Sequence, residues 1–405
     1  MSETPSRFPS MRFSALEMAG SLGDMGTLLP LALGMIVVNG LSAPGLFLAV
    51  GIFYIGAGLY YRLPTPVQPM KTIGAYAIAT AAAPGQVTAA GLLMAASLLF
   101  IGGSGLINAI GRWTPRAAVR GVQLTTGILL LTQGVKFIIG TSSLQTMAGL
   151  TEPHLTVQRL GPVPIGVVIG VVFAAATLWL LDSKKFPAGL VVVLGGMALG
   201  LLLGDGLGLA DASPGFYLPS LTPLGLPSAA DFAVALPVLV LPQLPMTLGN
   251  AVVANADLSS EYFGKAADRV TPKALCITMA MANVLSFSLG GMPMCHGAGG
   301  LAAHYRFGAR TAGSNLFIGA VFIVLALVLG PHAVAVANLL PLSVLGVLLL
   351  YAGATLAMTI GDLVQRKDLY VALVMLGISL ASNLAWGFGV GIVLAWALRS
   401  ERLSV

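Results

Sequence analysis

Two short polar interruptions break an otherwise lipid-soluble chain: Pro64-Thr65-Pro66-Val67-Gln68-Pro69-Met70-Lys71 and Met292-Pro293-Met294-Cys295-His296-Gly297-Ala298-Gly299-Gly300. Each opens a stretch of small residues inside a hydrophobic run. Pro69 suits the first turn of a helix, where its missing N–H costs nothing. Gly297, Gly299 and Gly300 let backbone come close to a ligand. A helix that begins at mid-membrane aims unpaired N–H groups and a partial positive charge into the gap before it. Two such starts, from opposite sides, make a compact anion site in a low-dielectric setting. Lys71 adds a full positive charge, and a lysine there is costly without a partner. The plainer alternative is a pair of space-filling kinks with Lys71 snorkelling to an interface. Paired interruptions in corresponding halves are the sequence pointer to a secondary transporter's binding site.

On this reading Gln68, Met70, Lys71 and Thr72 form one side of the site, and Cys295, His296, Gly297, Ala298 and Gly299 the other. Asp24, in Gly23-Asp24-Met25-Gly26-Thr27, is an intramembrane carboxylate and so a functional candidate. Pairing with Lys71, proton relay, cation binding and a structural hydrogen bond all fit it. In Pro242-Gln243-Leu244-Pro245-Met246-Thr247-Leu248-Gly249-Asn250, Gln243 is expected at similar depth, with Thr247 and Asn250 near the same helical face. Neutral donors suit an oxyanion that must bind and then leave; polar contacts between helices are the alternative. His296 falls in the titratable range of histidine, although a lone histidine is more often a hydrogen-bond donor. Cys295 reads as a small buried filler as readily as a ligand.

These residues must be positioned by membrane helices. Charged residues are 8% of the 405 and apolar ones 57%, against roughly 25% and 45–50% in soluble domains. The expected fold is all-α and polytopic. Fourteen segments are read at roughly 14–38, 43–61, 69–82, 87–110, 116–139, 163–181, 186–204, 231–256, 273–290, 297–305, 312–330, 333–358, 368–383 and 386–399. A full span needs about 20 residues, so the third and tenth are half-helices preceded by extended backbone. Residues 14–204 and 231–399 would be two repeats of seven; an odd number of crossings inverts the second. Leu33-Gly34-Met35-Ile36-Val37-Val38-Asn39 weakly resembles Leu248-Gly249-Asn250-Ala251-Val252-Val253-Ala254-Asn255 in support. With both termini cytoplasmic, 17 of the 20 basic residues fall inside, Arg7, Arg112, Arg116, Arg120, Lys184 and Lys185 among them, while the outer connection carries Asp205, Asp211 and Asp231. That is the positive-inside pattern, and it accounts for the net charge of +6 without nucleic acid. The N-terminus lacks a signal-peptide pattern, no soluble domain is expected, and Cys276 and Cys295 suggest no disulfide framework. Neither His-Glu-x-x-His nor Gly-x-Ser-x-Gly occurs, so no enzyme, metal or cofactor is expected.

The blocks Gly23 to Thr27, Pro66 to Lys71, Pro242 to Pro245, Pro293 to Ala302 and Tyr305-Arg306-Phe307-Gly308-Ala309-Arg310 resemble the signatures of the molybdate transporter family related to the sulfate permeases (SulP). The resemblance implies a seven-plus-seven inverted-repeat fold. In it a core domain (segments one to four and eight to eleven) carries substrate against a gate domain (five to seven and twelve to fourteen), often in a homodimer. It also implies a tetrahedral dianion, molybdate ahead of tungstate or sulfate. The regulatory STAS domain of typical sulfate permeases is absent from this sequence. The expectation is therefore a secondary transporter for molybdate in a bacterial inner membrane, with Asp24 orienting or balancing Lys71. A sulfate permease and an anion channel are the alternatives. A nucleobase permease of this fold would need carboxylates in segments eight and ten, where Gln243 and the Cys295-His296-Gly297 loop offer none.

Overall fold

Proline and glycine decide where these hydrophobic runs start, bend and stop. The computed structural model describes residues 10–106, 115–183, 186–204, 214–400, 402–403 and 405. Arg7, Arg112, Lys184, Lys185, Asp205 and Asp211, which entered the charge pattern above, lie outside the described residues. The first half runs α1 (Ala15–Ser21), α2 (Met25–Asn39), α3 (Ala43–Tyr61), β1 (Gln68–Pro69), α4 (Lys71–Thr80), α5 (Pro84–Ser104), α6 (Arg116–Ile139), α7 (Ser143–Ala148), β2 (Arg159–Leu160), β3 (Val163–Pro164), α8 (Ile165–Leu180) and α9 (Ala188–Leu203). The second half runs α10 (Ala229–Ala235), α11 (Leu241–Met246), α12 (Ala254–Phe263), α13 (Pro272–Ser288), β4 (Met294–Cys295), α14 (Ala298–Arg306), α15 (Gly313–Leu329), α16 (Ala333–Asn338), α17 (Leu342–Ala357), α18 (Arg366–Ala381) and α19 (Leu384–Ala397).

Among the described residues six helices can cross a membrane by length and composition, or seven when α1 and α2, which meet at a 45° bend, count as one. Fourteen crossings exceed that number. Two expected runs of 19 residues are cut short by turns, α8 and α9 holding 16 residues each, while α19 keeps the 14 residues of its short run. The run expected at 333–358 is two helices separated at Leu339–Pro341. The all-α expectation also missed two antiparallel pairs of two-residue strands, β1 with β4 and β2 with β3. Backbone that leaves helical geometry at membrane depth must pair somewhere, and β1 and β4 pair with each other.

Between α10 and α12 the chain stays helical but widens into π-helical turns at Leu236–Val240 and Thr247–Val253. Pro237, Pro242 and Pro245 each remove an N–H from the ladder, and the wider turns absorb the mismatch. Elsewhere ordinary caps start the helices: Ser42 accepts from Gly45 N–H and Thr271 from Ala274 N–H. Glycine sets the closest helix contacts. A Cβ on Gly127 or Gly134 of α6 would lie 2.6 Å from the Gly353 or Gly346 carbonyl of α17, so α6 and α17 pack backbone to backbone. The same device joins α3 to α15, where Gly51 faces the carbonyl of Gly319.

Candidate functional site

Gln68 pairs with Cys295 and Pro69 with Met294, in antiparallel register, and Met70 N–H donates to Pro293 O at 2.8 Å. The two strands lead in opposite directions into α4 and α14, so both helix starts face one region. Four buried asparagines and a histidine hold the broken segments. Asn283 exchanges hydrogen bonds with Met294 (2.8 and 3.0 Å), as a neighbouring strand would. Asn315 Nδ2 donates to Thr65 O at 2.7 Å, and Asn255 Nδ2 to His296 O at 2.6 Å. Asn39 Nδ2 donates to Ala77 O and Ala82 O at the far end of α4. His296 Nδ1 donates to Pro66 O at 2.7 Å, and its Nε2 lies 3.2 Å from Thr278 Oγ1, which in turn contacts Tyr61 OH at 2.8 Å. A carbonyl only accepts, so Nδ1 carries the proton. His296 thus fastens one loop to the other.

The two helix starts are not equivalent. Gln243 Oε1 accepts from the N–H groups of Thr72 (2.9 Å) and Ile73 (3.2 Å), while its Nε2 donates to Thr247 Oγ1 (2.9 Å). Thr72 Oγ1 donates to Met246 Sδ at 3.1 Å. The first turn of α4 is therefore capped from α11, the short helix between the two π-helical turns. Gly297, the N-cap of α14, brings no side-chain acceptor, and the N–H groups of Ala298 and Gly299 precede any intrahelical partner. Gly299 is exposed between buried neighbours. A Cβ on it would meet only Lys71 Nζ, at 4.0 Å. One helix brings free amides and the other a charged side chain.

Both groups line a cavity of about 640 Å³ with Thr27, Met246 and Asn250; it runs past Arg120 and Gln123 to exposed Arg306. Asp24 is buried behind this wall. Its Oδ1 accepts from Gln68 Nε2 at 2.7 Å, and its Oδ2 has no partner among the described residues. Asp24 makes no salt bridge with Lys71 among the described residues. Gly297 and Gly300 admit no side chain, because a Cβ would fall 1.8 Å from Gln68 Oε1 and 2.5 Å from Asp24 Oδ2 respectively.

The family model described as "Molybdate transporter of MFS superfamily" matches residues 16–130 and 235–356. The chain belongs to this molybdate transporter family. Its curated relatives include Molybdate transporter 2 of Arabidopsis thaliana, 30% identical over 96% of this chain and 88% of that protein. Molybdate transporter 1 of Chlamydomonas reinhardtii is 29% identical over 93% and 90%. Among solved structures, the transmembrane domain of the cyanobacterial bicarbonate transporter BicA aligns with TM-score 0.64 and 16% identity over 96% of this chain and 98% of that one. Murine Slc26a9, an anion transporter in its inward-facing state, aligns with TM-score 0.66 and 14% identity over 97% and 69%. The fold is that of these integral membrane transporters.

Within this family member, of the residues singled out from sequence, Lys71, Gly299 and Asn250 reach the cavity. Gln68, Met70, Thr72, Gln243, Thr247, Cys295 and His296 are buried in the supports of the two helix starts, Cys295 Sγ lying 3.8 Å from Pro69 O. Thr27 and Met246 reach the cavity in addition. The π-helical turn at Thr247–Val253 alters the helical register, so a uniform 100° step does not predict which face Asn250 presents. Asn39, Asn255, Asn283 and Asn315 were missed; the available signal was a primary amide inside an apolar helix, which lipid makes expensive unless it has a partner.

His296→Ala is expected to destabilise the transporter by about 2–4 kcal/mol, because the Pro66 carbonyl loses its donor and a cavity opens against Phe53. Thermal unfolding in detergent measures it. An unchanged midpoint would remove His296 from the supporting frame.

Proposed function

We propose that this chain carries molybdate across the membrane by alternating access, binding the dianion where Lys71 meets the start of α14. The observation that carries this reading is Lys71 Nζ standing over exposed Gly299 at the end of the cavity. A lysine beside free amides in a low-dielectric wall favours a compact oxyanion, and the curated relatives are named molybdate transporters. Lys71, the amides of Ala298 and Gly299, Asn250 and Thr27 would contact the ion. Gln68, Met70, Thr72, Gln243, Thr247, Cys295, His296 and Gly297 would hold those groups in place, and Asp24 would balance charge or take a coupled ion.

The reading includes two inverted repeats of seven segments, residues 14–204 and 231–399. A core built from segments one to four and eight to eleven would move against a gate built from the rest, within a homodimer. Both termini would lie on the cytoplasmic side, as the basic loops indicate, in a bacterial inner membrane. Tungstate and sulfate share the charge and shape of molybdate and are the competing substrates. Calorimetric titration of the purified protein with molybdate, tungstate and sulfate, followed by counterflow in liposomes, tests the proposal. Saturable counterflow with molybdate bound most tightly is expected. Tighter sulfate binding would make it a sulfate permease, and ohmic anion current without counterflow would make it a channel.

A further inference from the structure

The cavity wall contributed by α6 and by the turn Met358–Asp362 that follows α17 holds a second set of anion-binding groups, of which Arg120 reads from sequence only as a marker of topology. Arg120, Gln123 and Thr359 line the same cavity as Lys71 and Arg306; among the described residues the lining contains no Asp or Glu. Arg120 Nη1 donates to Gln123 Oε1 at 2.7 Å; Thr359 Oγ1 lies 3.0 Å from the same oxygen and 2.7 Å from Leu356 O, and shares its one proton between them. With its carbonyl held by Arg120, Gln123 has its NH₂ left to give. Arg120 Nη2 binds the carboxylate of Asp362, which Arg116 Nη2 also meets at 3.3 Å. Arg120 Nε is buried and has no acceptor among the described residues.

We propose that Arg120 and Gln123 form a second, vestibular subsite for the transported oxyanion, and that Asp362 is its built-in competitor. The proposal rests on the reading that the cavity serves oxyanion transport. A guanidinium presents a planar fork that suits two oxygens of one oxyanion, whether carboxylate or tetrahedral dianion. Asp362 fills that role when no ion is there. Its side chain is 48% exposed, against 22% for Arg120, so the pair is screened by solvent and weak. An incoming dianion carries twice the charge and meets unspent donors on Arg120 and Gln123. It displaces the carboxylate, waits at the wall, and passes between there and Lys71. Release of the ion returns Arg120 to Asp362, which keeps the subsite from holding its cargo.

A simple structural tie between α6 and the turn after α17 makes a different prediction. Breaking a tie from either end has the same consequence. Competition gives opposite ones.

Molybdate uptake is measured in right-side-out and inside-out vesicles with Arg120→Gln and Asp362→Asn. Arg120→Gln is expected to raise the half-saturating molybdate concentration roughly tenfold, the loss of one charge-assisted contact, at the cavity's open face alone. Asp362→Asn is expected to lower it at that same face. Equal shifts at both faces, shifts of one sign in the two variants, or no shift would overturn the subsite. Should Arg120→Gln fail to insert, the Asp362→Asn result decides by its sign. Failure of the transport reading looks different: wild-type vesicles would take up no molybdate from either face.

Discussion

Lys71→Ala is expected to abolish tight molybdate binding at the start of α14, leaving at most the weaker wall subsite, while the protein remains folded and inserted. The ammonium group stands over Gly299 beside the free amides of α14, with no ion pair among the described residues to spend its charge on. Two unit charges about 4 Å apart attract by about 4 kcal/mol at an effective dielectric constant of about 20. That alone is roughly a thousandfold in affinity, and a dianion feels more. Nothing else at the start of α14 replaces the loss: Arg120 is engaged with Asp362 and Gln123 at the separate wall subsite, and the first-turn amides of Thr72 and Ile73 are already occupied by Gln243. Stability should not fall, because the wild-type lysine gives up hydration without gaining a carboxylate partner. Calorimetry against molybdate, with a thermal melt of the same sample, checks both halves. Binding within tenfold of wild type would take Lys71 out of the site.

The two short helices were legible because their determinants are local. Expected from Pro69 and Gly297, they start at Lys71 and Ala298, because Pro69 is drawn into the β1 strand and Gly297 serves as N-cap. Legibility ends where a side chain's partner lies far along the chain. Gln243 was read as a wall residue, but its carbonyl caps α4 from 171 positions away, and no spacing rule encodes that distance. Asn283 and Asn315 show the same limit: an amide in an apolar helix signals a partner without saying which one. Asp24 was read as a possible mate for Lys71, whereas Gln68 reaches it first. Length misled differently. The apolar run at 163–181 suggests a full crossing, yet the helix there holds 16 residues, since turn residues shorten what hydropathy alone extends.

Gly299 and Gly300 are adjacent, yet substitution should separate them sharply. At Gly300 an added methyl would lie 2.5 Å from Asp24 Oδ2, 2.7 Å from Pro66 Cβ and 2.9 Å from Gln68 Nε2. None of these yields easily: the proline ring is rigid, its carbonyl is held by His296, and Asp24 and Gln68 are bound to each other. Overpacking of this kind costs about 1–3 kcal/mol, which the fold should survive. Relief comes by pushing α14 away from Asp24, Pro66 and Gln68, and that moves the Ala298 and Gly299 amides off the ion. A displacement near 1 Å at a positioned group costs on the order of a hundredfold in rate. Gly300→Ala is therefore expected to keep its expression and monodispersity while molybdate uptake falls about a hundredfold. Gly299→Ala places its methyl in open space 4.0 Å from Lys71 Nζ, so the frame stays put and only affinity drops, by roughly tenfold for one crowded contact. Uptake assays on the two variants side by side discriminate between a frame defect and a pocket defect. Equal activity in both would mean that α14 slides freely against Asp24, Pro66 and Gln68, and then the two helix starts could not be holding a common ion.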